Sequence, residues 1–388
     1  MQYVSRLLLL SAFASLAYPQ AQTPVVGPPG TVTTRSIEGA VLNVAGSPVA
    51  GAIVLLAAFI AAASPQPCGV TIFPRYGTYA RTAVLHGPGL VLDGGGALLA
   101  PPASLAWLHD RLVGETPARG GNVVILRASP GDTYYRQFYR NGNFASVQTV
   151  LIPPCAPREQ IDAVARLVDG ADAVYFAGGD QAHYVAWKGS ALMDAVKRVY
   201  ARGGVVGGGS AGLAIQGAVV YDSVTGDRLN LVTATRDAAA DPLEPRISFT
   251  TGLFAWPPLA DTITDTHFVT RDRLGRLIAF LARIVHDALL PDARTVYGLG
   301  VDETSSVVVD PDGTATLLNG PGGRGAYLVR ADAQPNLSPG QPLRYTVAIS
   351  HVSRSGERLD LLHKRTNEPW YLVTVDGSKS PVYSKDPY

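Results

Sequence analysis

From about Leu85 onward, short apolar stretches alternate with glycine-containing loops and with segments whose apolar residues recur every three or four positions. Residues 122–126 and 173–176 are too short for helices and have the composition of buried strands. This repeated order of strand, loop and helix predicts an α/β protein with a parallel sheet and helices on both of its faces.

Three longer segments have apolar residues at helical spacing, each with a start or stop signal beside it. They are residues 161–168 before Gly170, the segment from Ser190 to Gly203, and residues 274–289 before Pro291. From Val296 the pattern changes to short strands and turns. We expect this last part to cover an edge of the sheet.

The glycine-rich segment after the apolar pair Val205 and Val206 contains a single hydroxyl group. Residues 208–212 read Gly-Gly-Ser-Ala-Gly, which is the G-x-S-x-G pattern of a nucleophile elbow, a strand-to-helix turn too tight for side chains. Ser210 is therefore the candidate nucleophile. The alternative is a glycine-rich turn in which Ser210 only caps a helix.

A serine hydroxyl needs a base to take its proton, and His267 is the histidine in the most suitable setting. It lies in a strand-like segment, residues 263–268, just before the long predicted helix. Residues 178–181 follow another predicted strand, and loops that follow parallel strands gather at one edge of the sheet. The alternative is a structural histidine.

Three arginines, Arg271, Arg273 and Arg276, lie at the start of the long predicted helix, where the helix dipole disfavours cations. Their position indicates an anionic partner, and guanidinium groups suit a carboxylate-rich ligand. The alternative is ion pairing with acidic residues of the same protein: Asp265, Asp272 or Asp287.

The 388-residue chain is 47% hydrophobic and 16% charged, with a formal net charge of +1. It is therefore able to bury a large core, and it lacks the basic patch that binding to nucleic acid or an anionic membrane requires. Its seven histidines and two cysteines form neither an HExxH motif nor zinc-ligand spacing. We expect no nucleic-acid partner, no metal and no organic cofactor.

The first 21 residues have one early positive charge, then an apolar run and small residues, as in a secretory signal peptide cleaved after Ala17 or Ala21. This pattern predicts a secreted or periplasmic protein with no membrane attachment after cleavage; an uncleaved anchor is the alternative. In an oxidising compartment Cys68 and Cys155 are able to form a disulfide, and two free buried thiols are the alternative.

Residues 22–84 are expected to form an extension that precedes a catalytic domain of residues 85–388. Within the extension, residues 37–55 resemble the first hairpin of carboxypeptidase-regulatory-like β-sandwich modules. The apolar stretch 49–63 is shorter than the roughly 20 residues that cross a bilayer, so we predict that it is core.

Five blocks, in order over about residues 85–370, resemble the successive motifs of cyanophycinases, which are serine peptidases related to aspartyl dipeptidase (peptidase E). The blocks are residues 124–129, 176–181, 208–212, 265–277 and 300–303. The resemblance implies a parallel-sheet three-layer sandwich of the peptidase E and class I glutamine amidotransferase-like type, and a homodimer. It also implies a substrate: cyanophycin, a polyaspartate backbone with arginine on each β-carboxyl, or a related aspartate-rich peptide.

The resemblance implies Ser210 as nucleophile and His267 as general base. It implies that six residues line the substrate site: Gln181, Asp265, Thr266, Arg271, Arg273 and Arg276. Among the carboxylates between Ser210 and His267, Asp237 best matches the acid of the family's triad, and Asp241 is second. We expect the backbone N–H groups of Ala211 and Gly179 to form the oxyanion hole.

The chain departs from the cyanophycinase pattern at two site positions. Gly209 stands where a threonine is usual before the nucleophile, and Thr266 replaces the glutamine of the cyanophycin-degrading enzymes. Three alternatives therefore stand beside a cyanophycinase: an aspartyl dipeptidase, an inactive secreted binding protein with the same fold, and an α/β-hydrolase esterase. The last of these shares the elbow and has the triad order Ser, acid, His.

Overall fold

The computed structural model of the chain describes residues 68–79, 84–96, 102–113, 119–130, 134–223, 234–291 and 295–388. All of them belong to one compact unit, Ser64–Tyr388. The predicted signal peptide, the module-like hairpin 37–55 and the apolar stretch 49–63 lie outside the described residues. No helix in the described part is both long and apolar enough to cross a lipid bilayer.

The strands of the described residues are numbered in chain order. They are β1 (Thr71–Ile72), β2 (Tyr76–Gly77), β3 (Gly89–Asp93), β4 (Gly120–Arg127), β5 (Phe144–Leu151), β6 (Ala173–Phe176), β7 (Val205–Gly209), β8 (Val219–Tyr221), β9 (Phe249–Thr251), β10 (Thr262–Thr266), β11 (Val296–Val301), β12 (Ser305–Val309), β13 (Thr314–Asn319), β14 (Ala326–Ala331), β15 (Arg344–Val352), β16 (Arg358–Asp360), β17 (Arg365–Thr366) and β18 (Trp370–Asp376).

The α-helices of the same residues are numbered likewise. They are α1 (Pro102–Leu112), α2 (Tyr134–Asn141), α3 (Arg158–Ala163), α4 (Ala165–Asp169), α5 (Gln181–Val185), α6 (Ala191–Ala201), α7 (Ala211–Ala214), α8 (Thr235–Ala240) and α9 (Leu274–His286), with one 3₁₀ turn at Pro257–Leu259.

The larger sheet has the order β1-β5-β4-β6-β7-β3-β12-β13-β16-β17, and β2 pairs with β5. Its five central strands, from β5 to β3, are parallel. In β4, Val124 and Leu126 join the core that contains α3, α4 and α6, whereas Val123 and Ile125 join the core that contains α1 and α2. Alternate residues therefore face helices on opposite sides of the sheet.

The second sheet has the order β18-β15-β14-β11-β10-β8-β9. Strands β8, β10 and β11 are parallel, and the remaining strands are antiparallel to their neighbours. The amphipathic helix α9 packs on this sheet through Leu277, Phe280 and Leu281, which share a core with Val329 of β14 and Val347 of β15.

The predicted α/β class, with a mostly parallel central sheet and helices on its faces, is confirmed. The predicted strand 173–176 coincides with β6, and Ser190 caps α6 by accepting a hydrogen bond from the Met193 amide. The long predicted helix ends at His286, before the expected Pro291, because Ala288 adopts a positive φ of 51° that a right-handed helix does not permit.

The larger sheet begins upstream of the expected domain boundary at Leu85. Both β1 and β2 pair antiparallel with β5, so residues 71–77 form an edge of the same sheet. Cys68 and Cys155 form a disulfide close to this edge. Of the two states left open by the sequence, the structure therefore has the bonded one.

Candidate active site

Ser210 occupies the sharp turn between β7 and α7, with φ 54° and ψ −116°, a backbone conformation that side-chain-bearing residues rarely adopt. The glycines around it are required by close contacts. A Cβ at Gly208 would lie 2.7 Å from the Gly212 Cα, and one at Gly212 would lie 2.0 Å from the carbonyl oxygen of Phe176. The predicted nucleophile elbow is present.

His267 directly follows β10 and lies 5% exposed beside the serine. Its Nε2 is 2.7 Å from Oγ of Ser210, and its Nδ1 is 2.5 Å from Oε1 of Glu303. With Nδ1–H donating to the carboxylate, Nε2 is left with a lone pair that accepts the serine hydroxyl. The three side chains therefore form one hydrogen-bonded array.

Three consecutive carbonyl groups after β3 align the parts of this array. The oxygens of Asp93, Gly94 and Gly95 accept hydrogen bonds from the backbone N–H groups of Ser210, His267 and Thr304, respectively, at 3.1, 2.9 and 2.9 Å. A Cβ at Gly95 would lie 2.6 Å from the His267 ring, so position 95 has to be glycine. Segment 93–95 thus joins the turn from the larger sheet to two loops of the second one.

The side chain of Asp93 anchors the start of that segment. It is buried and accepts hydrogen bonds from the hydroxyls of Tyr175, at 2.7 Å, and Ser306. Burial raises the pKa of Asp93 to about 6, and the hydrogen bonds from Ser306 and Tyr175 offset only part of that effect.

Strand register explains why Glu303 reaches the histidine. Strands β10 and β11 are adjacent and parallel, with Thr266 paired to Val301, so the residues that follow them emerge side by side. Asp302 completes the arrangement because its Oδ1 accepts the amides of Val269 and Thr270, at 2.9 and 2.8 Å. The loop after His267 is thereby tied to the carboxylate pair that follows β11.

The prediction that Asp237, or else Asp241, completes the array is wrong. Asp237 is exposed in the first turn of α8, and Asp241 accepts the amide of Leu243 at 3.0 Å. The Nδ1 position of the histidine is filled by Glu303, and an imidazole nitrogen has a single N–H to donate. These two carboxylates between the serine and the histidine lie elsewhere, because the acid of the array follows the histidine along the chain.

The arginines fall into two groups. Arg276 forms a buried two-bonded ion pair with Asp265, through Nε to Oδ2 at 2.8 Å and Nη2 to Oδ1. Arg273 is also buried, 3.7 Å from the same carboxylate, and its Nη1 donates to Oγ1 and O of Thr266, each at 2.9 Å. These four predicted substrate residues therefore satisfy one another inside the protein.

Arg271 differs from the other two because its side chain is 51% exposed. Its Nε lies 3.7 Å from Oε1 of Glu303, the oxygen that also accepts the hydrogen bond from His267. Of the three arginines in the predicted cluster, Arg271 is therefore the one that is accessible to a dissolved anion.

The predicted oxyanion donors come from two segments, the loop after β6 and the start of α7. A Cβ at Gly178 would be 3.5 Å from the Ser210 Cβ, but the Gly178 amide already donates to the hydroxyl of Tyr134 at 2.8 Å. The amide of Gly179 therefore stays the predicted donor from that loop. Ala211 is the first residue of α7, where N–H groups have no partner within the helix.

Gln181 lies at the start of α5, in the loop region that follows β6. Its side chain is buried and donates through Nε2 to the carbonyl of Tyr221 at 3.3 Å. Gln181 therefore links the carboxyl end of β6 in the larger sheet to the carboxyl end of β8 in the second sheet.

Burial governs the ionisation of the histidine. It lowers the pKa of His267 to about 4; the nearby guanidinium groups of Arg271 and Arg273 act in the same direction, and the hydrogen bond to Glu303 acts in the opposite one. The imidazole is consequently neutral at neutral pH and able to accept a proton. Within the described residues, no group of three or more His, Cys, Asp or Glu side chains is placed to hold a metal ion.

Fold and site together define an α/β protein that presents a serine, a histidine and a glutamate as one array at the carboxyl edge of its parallel strands. No protein-family model matches the chain. The cyanophycinase of Synechococcus elongatus is 28% identical over 202 residues, which cover 50% of this chain and 52% of that protein. The cyanophycinase of Trichormus variabilis is 26% identical over 249 residues, which cover 62% of this chain and 72% of that protein.

The chain thus matches about half the length of the first of these relatives. Among solved structures, a peptidase from an acI-B1 Actinobacterium is 18% identical, with a TM-score of 0.44 over 71% of this chain and 98% of that one. The curated relatives confirm the predicted resemblance to cyanophycinases.

Proposed function

We propose that this protein is a serine-type peptidase of the cyanophycinase kind, which hydrolyses an amide bond next to an aspartyl residue. The observation that carries the proposal is the array of Ser210, His267 and Glu303, with 2.7 and 2.5 Å between successive polar atoms. Curated relatives named cyanophycinase support the substrate class.

In the first half of the reaction, Nε2 of His267 takes the proton of Ser210 as Oγ attacks the amide carbonyl carbon. The amides of Ala211 and Gly179 donate to the resulting oxyanion, each worth about 3 kcal/mol in the transition state. His267 then gives the proton to the leaving nitrogen, the C–N bond breaks, and an ester on Ser210 remains.

In the second half, water attacks the ester carbonyl while Nε2 of His267 takes a proton from it. The C–O bond breaks, the proton passes to Oγ of Ser210, and the carboxylic acid product leaves. Glu303 accepts the Nδ1–H bond throughout, which fixes the tautomer and stabilises the imidazolium that forms at each step.

The order of the array along the chain separates this proposal from an α/β-hydrolase esterase. In that fold the acid precedes the histidine, whereas Glu303 follows His267 by 36 residues.

Arg271 is the residue we propose for contact with a substrate carboxylate. Arg273 and Arg276 are committed to Asp265 and Thr266, so they are not free to exchange partners without leaving buried charges unpaired. The exposed guanidinium beside Glu303 carries no such cost, and it offers bidentate donors to an aspartate-rich ligand.

We further propose that the protein acts outside the cytoplasm. The disulfide between Cys68 and Cys155 supports this, since such bonds persist in oxidising compartments, and the signal-like first 21 residues support it as well. The homodimer expected from the resemblance stays a prediction.

The substrate is tested by incubating the protein with cyanophycin, β-Asp-Arg and α-aspartyl dipeptides and identifying the products by mass. We expect an amide next to an aspartyl residue to be cleaved, and a substrate with amidated carboxyl groups to be cleaved more slowly because it offers Arg271 no anion. Intact cyanophycin beside cleaved α-aspartyl dipeptides selects the aspartyl dipeptidase alternative. Ester hydrolysis without any amide cleavage contradicts the proposal.

The acid limb of kcat/KM is expected below pH 6.5, the ordinary pKa of histidine. The base has to be neutral, and a lowered pKa in the folded protein keeps His267 neutral at pH values where an exposed imidazole is already protonated. In Arg271→Ala the limb should move to higher pH, because a cation that disfavours the imidazolium is removed. A pH–rate series on both proteins measures this, and a wild-type limb at or above pH 6.5 contradicts it.

A further inference from the structure

The loop that carries His267 and Arg271 is held by two tyrosines more than 100 residues away in the chain. Oδ1 of Asp272 accepts hydrogen bonds from the hydroxyl groups of Tyr383 and Tyr388, with oxygen–oxygen distances of 2.5 and 2.8 Å, respectively. We call these three side chains, Asp272, Tyr383 and Tyr388, the tyrosine clamp.

The tyrosine clamp also caps α9. The Gly275 amide donates to the Tyr383 hydroxyl at 3.0 Å, and the Leu274 amide donates to the Tyr388 hydroxyl at 3.1 Å. Helix α9 has no capping side chain of its own, and first-turn amides need acceptors from elsewhere. Each hydroxyl therefore links a helix amide to a carboxylate, and negative charge is favourable at this end of a helix.

Ring packing joins the tyrosine clamp to the residue next to the histidine. The Tyr388 ring meets Phe268 edge-on at 6.4 Å between centroids and Tyr327 at 5.8 Å, and Phe268 and Tyr327 are 5.2 Å apart. Burial raises the pKa of both clamp tyrosines, so their hydroxyls stay protonated and able to donate.

The loop has a residue with positive φ at each of its ends. His267 has φ 48° and Asp272 has φ 45°, a region that residues other than glycine adopt uncommonly, although His and Asp enter it more often than most. Such conformations persist only when the surrounding structure restrains them. At the start of the loop the Gly94 carbonyl accepts the His267 amide, and in its middle Asp302 accepts two backbone amides. At its end the tyrosine clamp binds the Asp272 side chain, and the Thr235 hydroxyl donates to the Asp272 carbonyl.

We propose that Tyr383 and Tyr388 are positioning residues for His267. They hold Asp272 and the start of α9, and through Phe268 and the loop they fix the place of the imidazole beside Ser210. The proposal rests on the proposed function only for its catalytic consequence, because the hold on the loop is measurable without any substrate.

The test uses Tyr383→Phe, Tyr388→Phe and the double variant, with Tyr345→Phe as the matched control. Tyr345 is a buried tyrosine of β15, and its hydroxyl donates to the carbonyl of Ala333, outside the loop. Each substitution removes one hydroxyl group and keeps the aromatic ring. Thermal melts establish that all four are folded.

Two readouts are compared. Hydrogen exchange of peptides spanning residues 267–277 should become faster in the clamp variants and remain as in the wild type in the control. The rate at which a fluorophosphonate labels Ser210 should fall by about tenfold to a hundredfold in the double variant, because displacement of a base by an ångström has effects of that size.

Faster exchange with an unchanged labelling rate overturns the positioning role, and so does an equal loss of labelling in Tyr345→Phe, which would indicate general destabilisation. Unchanged exchange in the double variant overturns the hold on the loop itself. A wild-type protein that does not react with the fluorophosphonate contradicts the proposed function, and faster exchange in that case still supports the hold.

Discussion

Ser210→Ala is expected to lower kcat for amide hydrolysis by about 10⁴- to 10⁶-fold, because the proposed mechanism has no other nucleophile. Wild-type protein treated with a fluorophosphonate should carry the adduct on the peptide that contains Ser210, and the variant should carry none. The measurement is a progress curve for the best substrate together with mass spectrometry of the labelled peptides.

A second substitution at the same position separates chemistry from folding. Ser210→Gly also removes the hydroxyl, but glycine tolerates φ 54° and ψ −116° at little cost. Its free energy of unfolding should exceed that of Ser210→Ala by about 1 kcal/mol, the lower end of the strain stored in such a conformation. Full hydrolysis by Ser210→Ala would remove the serine from the mechanism and leave the inactive-binder alternative or a different centre.

Glu303→Gln is the second large effect that we expect, a loss of about 10²- to 10⁴-fold in kcat. The amide has nearly the same shape, but it cannot offset the charge of the imidazolium, and its NH₂ group is able to bind the wrong histidine tautomer. The loss should appear in kcat more than in KM, since the carboxylate acts on the base and not on the substrate.

Asp237→Asn is the matched control for Glu303→Gln. Asp237 is the carboxylate that the resemblance favoured, and it lies exposed on α8. Its substitution should leave kcat within about twofold of the wild type, as for surface positions away from special contacts. A large loss in Asp237→Asn together with an active Glu303→Gln would reverse the assignment of the acid.

Asp237 and Glu303 show that the order of residues along the chain does not by itself determine which carboxylate contacts the histidine. Residues 300–303 are part of the resemblance, and the sequence predicts short strands from Val296 onward. What was missing was the pairing of β10 with β11, which turns a separation of 36 residues into a 2.5 Å contact. The glutamate lies next to the histidine because both residues follow the ends of neighbouring parallel strands.

The partners of the three arginines also depend on the tertiary structure. Their spacing after His267 indicated a common anionic ligand, yet Arg273 and Arg276 are partnered with residues of β10, and Arg271 alone of the three is half exposed. Spacing on a helix determines which side chains share a face. It does not determine whether a buried carboxylate from a strand already lies against that face.

The amino-acid sequence alone determined the features that depend on local geometry: the turn that presents Ser210, the amphipathic character of α9, and the position of His267 at the end of a strand. A glycine run or a helical period determines structure over a few residues, so its effect can be predicted from the local sequence. Only the tertiary structure decided that Glu303 faces the histidine, that Arg271 stays half exposed beside Glu303, and that Tyr383 and Tyr388 bind Asp272. Those contacts arise from strand order and register, which depend on the packing of residues far apart in the chain.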